Sequence, residues 1–343
     1  DIYESEVFIV TVPTPIDSQK VPDLKPLKSA SATISDCFLK AIRSNAFENK
    51  KIVIFESTVF PGATEEICIP IIEEGTNLKR NIEFGYGYSP ERINPGDKDH
   101  RLNTIQKVTS GSNEEVRKWV DYLYGSIIDA GTFTVSTIKA AEAAKVIENT
   151  QRDLNIALIN ELALIFQKMD INTKEVLEAA ATKWNFIKLF PGLVGGHCIG
   201  VDPYYLTYKS QQIGYSPNVI LSGREMNDSM GLKVCKILLK EMVKNGITIN
   251  GSDILIMGFS FKNNCPDFRN TGVKNVFKEL KDFGCNVSIF DPWVDKEKVH
   301  NMEKITILDQ IPVKKFNAIL IAVGHSCFKE MGIKEIKKYC YDN

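Results

Sequence analysis

The chain has 343 residues, 43% of them hydrophobic and 25% charged, with a formal net charge of −1. That length exceeds what one hydrophobic core usually fills, so more than one domain is expected. The near-neutral balance creates no global field to draw nucleic acid or a membrane surface, so an anionic ligand has to be held by local cations.

The sequence contains no secretory signal and no apolar run of about 18 residues. Its eight cysteines and four histidines are scattered, without a CxxC pair. Neither a metal centre nor a disulfide scaffold is expected, and a cytoplasmic setting fits best. The chain starts at Asp1 and enters a strand almost at once, which reads as a fragment.

Glu6–Val12 is a short β-branched run ended by Pro13-Thr14-Pro15, the pattern of a buried strand. Pro26 to Arg43 suits a helix with proline in its first turn. Lys51–Phe55 is a second buried strand, followed by Glu56-Ser57-Thr58 and then by a helix with Glu65 and Glu66 near its start. Phe84–Ser89 and Val108–Ser110 continue the strand pattern, with a helix over Asn113–Tyr124. Alternating strands and helices predict a parallel sheet, whose ligands sit beyond the carboxyl ends of the strands. Pro13-Thr14-Pro15, Glu56-Ser57-Thr58 and Ser89-Pro90-Glu91-Arg92 fall there.

A long helix is predicted from Ile138 to Met169, without internal Gly or Pro. Its second half is apolar on most faces and must be covered. Lys145, Asn149 and Arg152 share one stripe at i, i+4 and i+7. A solvated face is one reading. The other is a functional face, because the stripe begins in an Ala-rich turn where a lysine is desolvated and suited to proton transfer.

After a helix over Thr173–Ala181 comes Pro191-Gly-Leu-Val-Gly-Gly-His-Cys-Ile-Gly-Val-Asp-Pro-Tyr-Tyr205. Two glycines precede Cys198, and Asp202 follows it by four residues. Gly195 and Gly196 allow close backbone approach or positive φ. A reachable nucleophilic thiol is one reading, and a glycine turn around a structural cysteine is the other. Helices follow over Asn218–Asn245. A second βαβ region then begins with the strand Asp253–Phe261, and a helix at Val273–Phe283 and strands at Val287–Phe290 and Phe316–Val323 complete it. Lys262 and Arg269 lie between a strand end and a helix start, a place suited to phosphate and equally readable as a solvated loop.

Six segments occur in order: Phe8-Ile-Val-Thr-Val-Pro-Thr-Pro15, Glu56-Ser-Thr-Val-Phe-Pro-Gly62, Tyr88-Ser-Pro-Glu-Arg92, Ala144-Lys-Val-Ile-Glu-Asn-Thr150, Val194–Asp202, and Gly258-Phe-Ser-Phe-Lys262 with Asp267-Phe-Arg269. Together they resemble the UDP-glucose/GDP-mannose dehydrogenase family over essentially the whole chain, in particular its UDP-N-acetylhexosamine 6-dehydrogenases. The segments Glu148–Asp153 and Val201–Tyr205 carry that finer likeness. The resemblance implies an α/β protein with two Rossmann-like parallel-sheet domains joined by a central helical domain with a long helix. The expected divisions are an NAD-binding domain over 1–135, a central dimerisation domain with the catalytic cysteine over 136–245, and a UDP-binding domain over 246–343. The chain holds no GxGxxG, so the N-terminal half of the first Rossmann domain, about 80 residues, is expected to be missing.

The family reaction is a four-electron oxidation of sugar C6 to a carboxylate with two NAD. By resemblance, Cys198 forms a thiohemiacetal and then a thioester. Lys145 and an Asp202-bound water are candidate bases, and Lys145 and Asn149 steady the oxyanions. Thr58, Glu91 and Asp202 match positions that hold the hydrolytic water. The family often has a second glutamate where this chain has Pro95. Pro13, Thr14, Ser57, Thr58 and Glu91 are the expected cofactor-side contacts, with Lys262 and Arg269 for UDP. Lys183 and Lys188 lie near the place of a basic residue that reaches the neighbouring subunit. The expected partners are a UDP-sugar and a second copy of the chain in a homodimer, with neither nucleic acid nor membrane.

Alternatives remain. They are a UDP-glucose 6-dehydrogenase, a two-electron dehydrogenase of the 6-phosphogluconate or hydroxyacid type, and a UDP-sugar-binding module without catalysis. The Gly-Gly setting of Cys198 speaks against the two-electron enzymes, which need no thiol.

Overall fold

The computed structural model describes residues 2–47, 50–93 and 99–341. The chain forms two compact units, Asp1–Gln151 with Val201–Pro217, and Arg152–Gly200 with Asn218–Asn343.

In the first unit β1 (Val7–Val10), β2 (Lys51–Phe55) and β3 (Phe84–Tyr88) pair in parallel. β2 is buried along its whole length, as its continuous apolar run requires of a strand covered on both faces. The register pairs Val10 with Phe55 and Phe55 with Tyr88, so the carboxyl ends of the three strands lie level. α1 (Lys25–Arg43) makes the first crossover, and a π-helical stretch, Thr64–Cys68, running into α2 (Ile69–Thr76) makes the second. Phe8, Phe38 and Phe84 meet edge-on in the core between them.

The expectation of a purely parallel sheet fails at one pair. β3 and β4 (Lys107–Gly111) are antiparallel through Gly87 with Gly111 and Tyr88 with Ser110. Antiparallel neighbours need no crossover helix. The described part of this connection holds only a short 3-10 turn, Leu102–Thr104. α3 (Glu114–Gly125) then leads to β5 (Thr132–Thr134), which closes the order β1-β2-β3-β4-β5.

α4 (Ile138–Lys168) is 31 residues long, and the division between the units falls within it. Its first turns are held in the first core by Ile138, Ala141 and Val146. α6 (Asp202–Gln212), not foreseen as a helix, joins the same unit. Its signal was Asp-Pro in the first turn, a helix start that aromatic residues obscured. Tyr205 on α6 is fully buried and donates its hydroxyl to the Pro15 carbonyl at 3.0 Å.

The second unit holds the rest of α4 with α5 (Thr173–Ala180) and α7 (Asn218–Lys244). It also holds an all-parallel sheet of order β8-β7-β6-β9, from β6 (Asp253–Met257), β7 (Asn286–Phe290), β8 (Ile307–Leu308) and β9 (Ala318–Ile321). α8 (Val273–Asp282), α9 (Lys296–Glu303) and α10 (Ser326–Lys337) complete it. Cys235 and Leu239 of α7 share a core with Val276 and Leu280 of α8 and with Ile254 and Ile256 of β6. Among the described residues, no helix is long and apolar enough to cross a membrane.

Candidate active site

The first unit brings several foreseen residues together. Asn149 donates to Asp202 across 2.5 Å, from α4 to the first residue of α6. Asp202 is 3% exposed and Lys145 6%. Burial pushes the Asp202 carboxyl up to about 6, against the pull of the Asn149 amide and the charge of Lys145. A carboxylate with that pKa exchanges a proton close to neutral pH. Its charged neighbours include Glu148 and Glu91, and Glu148 is itself paired with Arg92 at 2.7 Å.

Pro13 and Thr14 follow the end of β1, Ser57 and Thr58 the end of β2, and Glu91 the end of β3. Thr14, whose side chain also hydrogen-bonds to Tyr205, and Thr58 are half-exposed residues at the carboxyl ends of parallel strands, where a dinucleotide binds in such sheets. They fit hydrogen bonding to NAD. Ser57 does a different job, donating its hydroxyl to the Val12 carbonyl at 2.6 Å and so holding the Pro13–Thr14 loop. The buried Tyr88 hydroxyl donates to the Ser57 carbonyl at 3.1 Å. Glu91 is exposed. Pro95 lies outside the described residues.

Cys198 belongs to the second unit, where it is half-buried. The loop before it is sewn to the segment after β6. Gly196 donates its backbone N–H to the Arg269 carbonyl at 2.9 Å, and the Asn270 amide donates to the Gly196 carbonyl at 3.1 Å. The two glycines are required by this approach. A Cβ on Gly195 would fall 2.9 Å from the Asn270 carbonyl oxygen and 2.9 Å from Phe261. Gly196 has φ +81°, with the Phe261 ring 3.0 Å from where its Cβ would be.

Arg269 is bidentate to Asp267, at 3.0 Å and 2.6 Å. This pairing raises the guanidinium pKa first, and the Cys198 thiolate adds to the effect. Arg269 is thus one cation close enough to act on Cys198 within this unit.

A cleft of about 440 Å³ opens beyond the carboxyl ends of β6 and β9. Lys262 and Lys329 line it, with Phe190 to Leu193, Phe261, and Thr271 to Val273. The cleft thus collects Lys262, whereas Arg269 is not among its lining residues. Lys329 went unnoticed in the sequence, because only the β9–α10 turn returns it to this wall. A buried network shapes the loop above it. His325 Nδ1 accepts the Asn264 backbone N–H at 2.9 Å, and Nε2 lies 3.1 Å from Asp291. Lys183 and Lys188 are exposed.

Sequence reasoning also missed Glu142, which is fully buried on α4. Its signal was a single acid amid four alanines in the helix's first turns. Among the described residues, no group of three His, Cys, Asp or Glu side chains is placed to hold a metal ion.

Comparison with known proteins gives the family. The NAD binding, central and UDP binding domains of the UDP-glucose/GDP-mannose dehydrogenase family match residues 1–128, 139–229 and 255–343. The match over 1–128 lends no support to the expectation that half of the NAD-binding domain is missing. A UDP-N-acetyl-D-glucosamine 6-dehydrogenase of Salmonella typhi is 53% identical over 341 residues, covering 99% of this chain and 78% of the relative. One of Pseudomonas aeruginosa is 55% identical over 338 residues, covering 98% and 78%. The solved UDP-D-ManNAc dehydrogenase of Pyrococcus horikoshii superposes with a TM-score of 0.86 at 29% identity, over 99% of this chain and 76% of that one. With all three domains matched and two relatives identical at more than half of the aligned positions, the chain belongs to the UDP-glucose/GDP-mannose dehydrogenase family.

Proposed function

We propose that this protein is an NAD-dependent 6-dehydrogenase of a UDP-N-acetylhexosamine, making the uronic acid for surface polysaccharide. The relatives at 53% and 55% identity, both UDP-N-acetyl-D-glucosamine 6-dehydrogenases, carry this reading. The Gly-Gly-His-Cys loop sewn to the UDP-side segment supports it, because a two-electron dehydrogenase has no use for a positioned thiol.

NAD, when bound, accepts a hydride in each of the two oxidations. The chain's own residues do the rest. One base takes up the C6 hydroxyl proton, either Lys145 or a water held by the Asp202 carboxylate, whose pKa of about 6 lets it pass the proton on. The Cys198 thiolate adds to the C6 aldehyde as a thiohemiacetal, whose oxidation leaves a thioester. Lys145 and Asn149 donate to the developing oxyanions. Thr58, Glu91 and Asp202 orient the water that releases the acid. Thr14 and Thr58, in loops held by Ser57, contact the cofactor, with Pro13 shaping that loop. Lys262 and Arg269 bind the UDP phosphates, Lys262 from the cleft wall.

Residues 1–135 form the NAD-binding domain, 136–245 the central domain and 246–343 the UDP-binding domain. The protein works as a cytoplasmic homodimer through its long helix, whose exposed Leu158 and Ile165 support such a contact. The test offers UDP-GlcNAc, UDP-GalNAc, UDP-ManNAc and UDP-glucose to the intact protein and counts NADH. Two NADH per UDP-N-acetylhexosamine, with a higher kcat/KM than on UDP-glucose, is expected. A preference for UDP-glucose overturns the substrate assignment.

A further inference from the structure

Glu142 is fully buried on α4, three residues before Lys145 and seven before Asn149, so all three lie along one side of the helix. Its two carboxylate oxygens are both committed. One accepts the Gly62 backbone N–H at 2.5 Å, and the other accepts the Thr64 N–H at 2.9 Å. Thr64 opens the π-helical stretch that follows the Glu56-Ser57-Thr58 loop, and Gly62 lies just before its N-cap, Ala63. The loop is therefore clamped at two ends. Ser57 is held by Val12 and Tyr88, and Gly62 and Thr64 are held by Glu142. Thr58 stands half-exposed between the clamps. The turn at the second clamp is closed tightly. Gly62 has φ +98°, and a Cβ there would fall 2.6 Å from Glu66 Oε1.

We propose that Glu142 is a positioning residue for cofactor binding, its carboxylate fixing the Thr58 loop to the helix that carries Lys145 and Asn149. This rests on the reading that Thr58 contacts NAD. An ionised carboxylate only accepts hydrogen bonds, so it suits two converging N–H donors. Protonation turns one oxygen into a donor and opens one of the two contacts.

Burial and the like charge of Glu65 favour such a change near neutral pH, and the Lys139 cation opposes it. Glu65 and the Cys68 thiol face it from the π-helical stretch, Lys139 from α4 and Tyr88 from β3. Burial outweighs the two N–H donors and the Thr64 hydroxyl and lifts the carboxyl to about 7. A plain helix cap predicts only a loss of stability. Positioning predicts a loss of cofactor affinity that tracks the ionisation of Glu142 and spares the UDP side.

The experiment uses the intact protein and Glu142→Gln. In the variant an amide NH₂ faces one of the two N–H donors. NADH binding is followed by fluorescence and UDP binding by calorimetry. Hydrogen exchange of the Val59–Glu66 peptide is measured from about pH 5.5 to 8.5, corrected for intrinsic rates. In wild type, protection of this peptide and NADH affinity should fall together as the pH drops through about 7. In Glu142→Gln at pH 8, the Kd for NADH should rise about tenfold, the loss of one charge-assisted hydrogen bond, with the UDP Kd unchanged and the pH dependence gone. An unchanged NADH Kd, or equal weakening of NADH and UDP, overturns the proposal. Should the variant not fold, wild type decides alone, and pH-independent exchange of the peptide overturns the proposal. A wild type that clamps this peptide but oxidises no UDP-sugar refutes the functional reading and leaves the clamp standing.

Discussion

Gly196 donates its backbone N–H to the carbonyl of Arg269 at 2.9 Å, which ties the loop of the nucleophile candidate to the segment of the phosphate-binding candidate. The positive φ of Gly196 and the Phe261 ring beside it leave no room for a side chain. Gly196→Ala should destabilise the protein by about 1–2 kcal/mol, the cost of a left-handed conformation on a residue with a Cβ. Activity should fall further than stability, because the Cys198 loop is displaced from its partner. Urea unfolding and kcat measured side by side check this. A variant of wild-type stability and rate refutes the requirement.

Cys198→Ala should abolish uronic acid formation by several orders of magnitude, because covalent trapping of the aldehyde is removed. Sugar and cofactor binding should stay close to normal, since only a small volume is lost and no charge is stranded. Residual NADH should stop at or below one per sugar. Product mass and NADH stoichiometry are the readout, and a variant still yielding two NADH and the acid at a comparable rate rules out Cys198 as the nucleophile.

Arg269→Ala should have two effects. UDP binding should weaken by about 1.5–3 kcal/mol, the range for a hydrogen bond to a charged group. The Cys198 thiol should also react more slowly with iodoacetamide at pH 7, since a cation that interacts with its thiolate is gone. Unchanged UDP affinity removes Arg269 from phosphate recognition, and an unchanged alkylation rate removes its influence on the thiol.

The Asp202 carboxyl lies above its ordinary value of 3.8, at about 6, chiefly through burial. The sign follows from the raised value. The protonated form is favoured on folding, so its stabilisation is full below about pH 4 and is lost as the pH rises through about 6, by about 3 kcal/mol in all. Asp202→Asn should lose this dependence, so the stability of wild type relative to the variant should fall from pH 3.5 to 7. Activity runs the other way, rising through pH 6 as the carboxylate becomes able to accept a proton. Parallel stability curves for the two proteins would contradict the raised value.

In the second unit Arg224 on α7 is 3% exposed and donates to the fully buried Asp153 of α4 at 2.6 Å. Asn227 also donates to Asp153, at 2.8 Å. Arg224→Met should cost about 3–5 kcal/mol, because it strands a buried carboxylate. The double variant Arg224→Met with Asp153→Leu should recover most of that loss. Thermal unfolding of the three proteins tests it, and additive losses would show that the two residues are not coupled.

Several features follow from the sequence alone, because they rest on local rules. The β-branched run Lys51–Phe55 can only be a covered strand, and the unbroken Ile138–Lys168 pattern can only be a long helix. Lys145 and Asn149 share a helix face by their spacing, and the order of the six motifs carries the family. Asp202 was foreseen through its distance from Cys198. What brings Asn149 to within 2.5 Å of it is α6, whose start was hidden among aromatic residues.

Only the tertiary structure decided the rest, because these contacts join residues far apart in the chain. Periodicity cannot show that Glu142 meets the amides of Gly62 and Thr64 across about 80 positions. Nor can it show that Gly195 and Gly196 are glycines because the Asn270 backbone and the Phe261 ring occupy the space a Cβ would need. The antiparallel pairing of β3 with β4, the commitment of Ser57 to Val12, and the turn of Arg269 toward Asp267 are likewise settled by packing. A residue's type states which hydrogen bonds it is able to make, and only the packed chain determines which partner is within reach.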